Sequence, residues 1–76
     1  MRESIHSERN KKLRELLKEA RKAKGLRQDD LSLKLGKFKT FINKVENGER
    51  RLDAMEFLDL VRELELDIGE LMRRGV

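Results

Sequence analysis

This chain predicts an all-α fold of five short helices, on three observations. No proline interrupts its 76 residues, and Leu, Lys, Glu and Arg dominate the composition. Apolar residues recur every three or four positions in successive segments. Gly25, Gly36 and Gly48 each stand just past such a segment, where a glycine ends a helix. A chain of this length makes one domain with a core of marginal size. We expect residues 1–9 to be a flexible N-terminus and residues 10–76 a single domain.

The first helix is expected over residues 7–24. Leu13, Leu16, Leu17 and Ala20 fall at helical spacing, and Lys11, Lys12, Lys18, Glu19 and Lys22 fill the remainder. Such a basic amphipathic stretch can also lie on a membrane surface. Its glutamates, its alanines and its lack of Trp or Phe favour a core-facing helix instead. "QDDLSLKLG", residues 28–36, forms the second helix. Asp29 and Asp30 lie in the first turn, where the helix dipole favours acids, and Leu31 and Leu35 share one face.

The third helix is expected over residues 39–46, closed by Asn47-Gly48. Phe41, Ile42 and Val45 share one arc of its wheel, and Lys39, Thr40, Asn43 and Lys44 the other, with no acid among them. Lys37 and Lys39 thereby sit at the positive end of a helix, which costs about 0.3–1 kcal/mol unless an anion is supplied. Asp53 with Glu56, and Asp67 with Glu70, fit an acidic N-cap followed three residues on by Glu. They open a fourth helix buried through Ala54, Phe57, Leu58, Val61 and Leu64, and a fifth with Ile68, Leu71 and Met72 on its apolar side.

The net charge of +4 is unevenly spread: residues 1–25 carry +5, residues 26–52 carry +3 and residues 53–76 carry −4. A polyanion is drawn to the first two-thirds and repelled by the last, although a well-solvated surface explains such charge equally well. Catalysis finds no support. There is no glycine-rich phosphate loop, no nucleophile with a base and no metal-ligand cluster, and His6, the single histidine, has no second ligand. The absence of cysteine removes disulfides and thiolate sites. No cofactor is expected. With no apolar run able to cross a bilayer and no signal segment, the expected location is intracellular, in the cytoplasm, without a membrane partner.

Two short helices joined by a tight glycine turn, the second with an apolar back and a polar, basic front, make a helix-turn-helix. In that motif the second helix enters the major groove by its N-terminal end, so a phosphate or guanine edge can supply the anion that Lys37 and Lys39 lack.

The stretch "GLRQDDLSLKLGKFKTFINKVENGERR" resembles the helix-turn-helix of phage repressors and Cro, the Xre family. That pattern runs G-L-[ST]-Q-x-x-L-A-x-x-L-G and then I-x-x-[IV]-E-x-G-x-R. Gly25, Leu26, Gln28, Leu31, Leu35, Gly36, Ile42, Val45, Glu46 and Gly48 match it, and the likeness extends over about residues 10–72. The resemblance implies a lambda-repressor-like domain and a sequence-specific DNA-binding transcriptional regulator, a repressor, that reads double-stranded DNA as a homodimer on a palindromic operator.

By the same resemblance Lys39, Thr40, Asn43 and Lys44 would read bases, and Gln28, Lys37, Asn47, Arg50 and Arg51 would hold the DNA backbone. Arg21 and Glu46 would clamp the first helix to the third. Three positions depart from the pattern. Arg27 replaces the usual capping Ser or Thr. Ser32 replaces alanine at the helix crossing, which its size permits. Phe38 stands where a small residue is common; it either folds back on the core or reaches a sugar or base. Leu33 points outward with no evident partner. Ile68, Leu71 and Met72 serve either a dimer surface or the monomer's own core. The alternative function is a protein-interaction module on the same fold, antitoxin-like or a coactivator adaptor, with a protein partner.

Overall fold

The computed structural model describes residues 4–76; of the N-terminus expected to be flexible over residues 1–9, residues 1–3 lie outside them, Ser7 caps the first helix, and Glu8 and Arg9 belong to it. Five helices follow in order: α1 (Glu8–Ala23), α2 (Gln28–Lys34), α3 (Phe41–Glu46), α4 (Ala54–Glu63) and α5 (Ile68–Arg73). No strand occurs among the described residues.

Local chemistry sets most helix ends. Ser7 Oγ accepts the Asn10 N–H at 3.0 Å and opens α1. Asp53 accepts the Glu56 N–H at 2.8 Å while Glu56 accepts the Asp53 N–H at 3.0 Å, a reciprocal cap on α4. Asp67 caps α5 in one direction, accepting the Glu70 N–H at 3.3 Å, while the Glu70 carboxylate turns to Arg73. Each helix closes with a left-handed residue flanked by two reversed backbone bonds; in α1 these are Gly25 N–H to Lys22 C=O and Leu26 N–H to Arg21 C=O. Glycine fills that position in α1, α2, α3 and α5, and Glu65 (φ 54°) in α4. The Glu65 carboxylate meets Lys24 at 2.8 Å, which lowers its pKa.

One core joins α1 to α4 through Leu17, Leu31, Phe41, Ile42, Val45, Leu60 and Leu64. At six residues α3 is far below the ~12–15 at which an isolated helix is even marginal. It persists because Phe41, Ile42 and Val45 are buried, each contributing about 1.5–3 kcal/mol.

The fourth helix is turned relative to expectation. Leu60 is buried, whereas Ala54 is exposed and Leu58 is 42% exposed. The cause is Glu56, which lies on the buried side because Lys37, Arg50 and the Asp53 N–H all reach its carboxylate. A wheel that assigns Glu56 to solvent rotates the helix by about one position. In α5, Leu71 is buried, but Ile68 and Met72 are 40% and 66% exposed. Of the two roles open to that trio, only Leu71 packs into the monomer.

Candidate nucleic-acid interface

The turn between α2 and α3 places the polar front. The third helix begins at Phe41, two residues later than expected, so Lys39 and Thr40 form the turn that enters it. Thr40 occupies the cap position without a side-chain hydrogen bond. The orphan N–H of Ile42 is satisfied from α2 instead: Ser32 Oγ accepts it at 2.9 Å and donates to the Gln28 carbonyl at 2.8 Å. Ser32 is fully buried. A serine in place of alanine at the crossing therefore caps the third helix across space, a role that its size alone does not reveal.

Lys39, Thr40, Asn43, Lys44 and Asn47 are all exposed, and Phe41, Ile42 and Val45 anchor the opposite face. Asn43 is held from behind. Arg21 donates to Glu46 at 2.7 Å from Nε and 3.2 Å from Nη2; Gln28 Nε2 donates to the same carboxylate at 2.8 Å. Gln28 Oε1 in turn accepts from Asn43 Nδ2 at 3.1 Å, and Asn43 Oδ1 accepts from Asn47 Nδ2 at 3.2 Å. Five side chains from α1, α2 and α3 thus form one relay that ends on the exposed front. Arg21 and Glu46 are its buried root, at 8% and 5% side-chain exposure. Gln28 uses both ends of its amide within the relay, so only further lone pairs and protons of that group face outward.

Lys37 and Arg50 find their anion within the chain. Arg50 makes a two-pronged bond to Glu56 at 2.7 and 2.9 Å, and Lys37 Nζ lies 2.8 Å from the same carboxylate. Both cations also lie over the Phe41 ring, at 5.4 Å for Lys37 and 4.8 Å for Arg50. The Arg50 hydrogen bond, with Lys37 and the Asp53 N–H, holds the Glu56 carboxyl down at about 2. This is how a lysine is accommodated beside the start of α3. Lys39 and Lys44 form no ion pair among the described residues. Arg51 is exposed in the loop ahead of α4.

Arg14 is a contributor that the sequence reading missed. Its Nη1 donates to the Glu46 carbonyl at 3.1 Å, which places a cation at the negative end of α3. Its guanidinium also lies 3.0 Å from where a Cβ would stand on Gly48, so a side chain there would push the Arg14 head aside, and φ +76° disfavours any residue but glycine. The available signal was spacing: Arg14, Leu17 and Arg21 share one stripe of α1. Phe38 does not fold back on the core; it is 88% exposed. Arg27 makes no cap and pairs with Asp30 at 3.1 Å, which lowers the pKa of Asp30.

A helix-turn-helix family model matches residues 17–71, a span that contains α2, α3 and α4 entire. Among solved structures, an XRE-family like protein from Pseudomonas syringae pv. tomato str. DC3000 is 43% identical with a TM-score of 0.78, over 92% of this chain and 88% of that one. The chain belongs to the Xre family of helix-turn-helix proteins. Comparison with curated proteins gives no match. As an Xre-type protein it is a DNA-binding regulator, and the Xre pattern falls on the α2–α3 pair described above. Among the described residues of this Xre domain, no helix is long and apolar enough to cross a membrane.

Proposed function

We propose that this protein is a sequence-specific transcriptional repressor that reads the major groove with α3 and binds a palindromic operator as a homodimer. The observation that supports it is the front of α3. Lys39, Thr40, Asn43 and Lys44 are exposed together with no carboxylate among them, beside a fully packed back. A lysine there can donate to guanine O6 and N7, Asn43 to an adenine edge, and the Thr40 methyl can cover a thymine methyl. Gln28, Lys37, Asn47, Arg50 and Arg51 flank this front and would meet phosphates. Lys37 and Arg50 would do so while shared with Glu56.

The acidic helices α4 and α5 favour a partner other than DNA. Met55, Leu58, Ile68 and Met72 are exposed on them, apolar surface suited to a second copy. Two copies would then reach half-sites about 34–36 Å apart.

The test is selection of bound duplexes from a random-sequence pool, with a Lys39→Ala, Lys44→Ala variant as control. A palindromic motif that the variant loses supports the reading. Weak, salt-sensitive binding without an enriched sequence would instead mean a generic basic face and favour the protein-interaction module.

A further inference from the structure

Phe38 lies in the turn between α2 and α3 and is 88% exposed, the most of any large apolar side chain among the described residues. Its neighbours are Lys37 and Lys39; of the four lysines in residues 34–44, Lys34 pairs with Glu63 and Lys37 with Glu56, while Lys39 and Lys44 form no ion pair among the described residues. Four of the other exposed large apolar residues, Met55, Leu58, Ile68 and Met72, stand on the acidic α4 and α5. Phe38 is instead an apolar ring set where a polyanion is attracted. Its backbone is tied to the front as well: the Phe38 carbonyl accepts the Phe41 N–H at 3.0 Å, which fixes the ring's root against the first turn of α3, beside Lys39 and Thr40.

We propose that Phe38 reads a base, by covering the 5-methyl group of a thymine at the edge of the α3 contact. The inference rests on the DNA reading above and adds a specificity-determining residue to it. In the major groove the thymine methyl is the apolar group that a base pair presents; the remaining edge atoms are hydrogen-bond donors and acceptors. An exposed ring has no apolar partner in the free protein, so its gain from leaving water is realised only in the complex. Because uracil keeps the edge of thymine and lacks only the methyl, it isolates this contact.

The experiment takes the selected operator, replaces each thymine in turn by deoxyuridine, and measures Kd at fixed salt for the wild-type chain, Phe38→Ala and Phe38→Leu. The wild type should lose about fourfold in affinity at one thymine per half-site, the worth of one buried methyl. Phe38→Ala should bind the thymine and uracil duplexes equally at that position, and Phe38→Leu should keep part of the difference. Thermal melts of all three should nearly coincide, because the ring is 88% exposed in the free chain. A loss in Phe38→Ala at no particular thymine, or a uracil effect that persists in that variant, overturns the proposal in favour of a sugar contact or of Thr40. An unchanged Kd in Phe38→Ala overturns it too and leaves the DNA reading standing. Failure to select any sequence overturns both.

Discussion

The Ser32 hydroxyl caps Ile42 from another helix: its oxygen accepts the Ile42 N–H at 2.9 Å in a fully buried site. We predict that Ser32→Ala destabilises the fold by about 1–3 kcal/mol, the cost of a buried donor left without a partner. Because the orphaned group lies in the first turn of α3, amide exchange should accelerate there before it does in α1. A melting temperature equal to that of the wild type would show that Ile42 finds another acceptor.

Arg21 and Glu46 are buried as a pair, and a buried pair does not by itself add net stability. Removing one partner strands the other's charge, at a cost of about 3–5 kcal/mol. The Arg21→Ala, Glu46→Ala double variant is therefore expected to be more stable than the worse of the two single variants. Thermal melts showing equal or additive losses would reject the clamp.

Glu56 predicts the acid limit of the fold. Its folded pKa of about 2 lies below the ordinary 4.5, so the unfolded chain binds that proton more readily. Its contribution is complete above about pH 5 and is lost as pH falls through 4.5 toward 2, by about 2 kcal/mol once screening of the half-exposed Lys37 and Arg50 is allowed for. Urea denaturation at pH 7 and pH 3 should show a larger drop for the wild type than for Glu56→Gln. Equal drops would remove Glu56 from the account.

The basic residues divide into two groups by stability. Lys39→Ala and Lys44→Ala should leave folding unchanged to within about 0.5 kcal/mol, because neither side chain has an ion pair or hydrogen bond among the described residues to lose. Lys37→Ala and Arg50→Ala each strip the buried Glu56 of a cation and should cost about 1–3 kcal/mol. On DNA the division is different: losing a phosphate contact flattens the log–log salt dependence by about 0.9, whereas losing a base contact relaxes preference at one position by about 1–3 kcal/mol. A Lys37→Ala protein that melts like the wild type would contradict the shared-cation arrangement.

Local signals were the legible part of this fold. Ser7, Asp53 and Asp67 begin helices and Gly25, Gly36 and Gly48 end them through bonds within a few residues, so the sequence shows them directly. The apolar back and polar front of α3 were legible for the same reason. What was hidden depends on groups distant in the chain. The orientation of α4 follows from a glutamate that is buried only because Lys37 and Arg50 arrive from elsewhere. Ser32 and Arg14 act on α3 from other helices, 10 and 32 residues away along the chain. Phe38 had two readings in sequence terms; a large ring before α3 could pack or protrude, and only the turn's path decides.

The relay from Arg21 to Asn47 bears on how such a protein can diverge. Lys39, Thr40 and Lys44 make no side-chain hydrogen bond among the described residues, so exchanging them alters the exposed front of α3 and nothing inside. Asn43 is different. Replacing it also releases Gln28, whose amide is joined to Glu46 and through it to α1. On the proposed reading, in which the α3 front meets the bases, descendants of this chain would be free to drift toward new target sequences through these three positions. At Asn43, the same reading makes a change of target also a change in the scaffold.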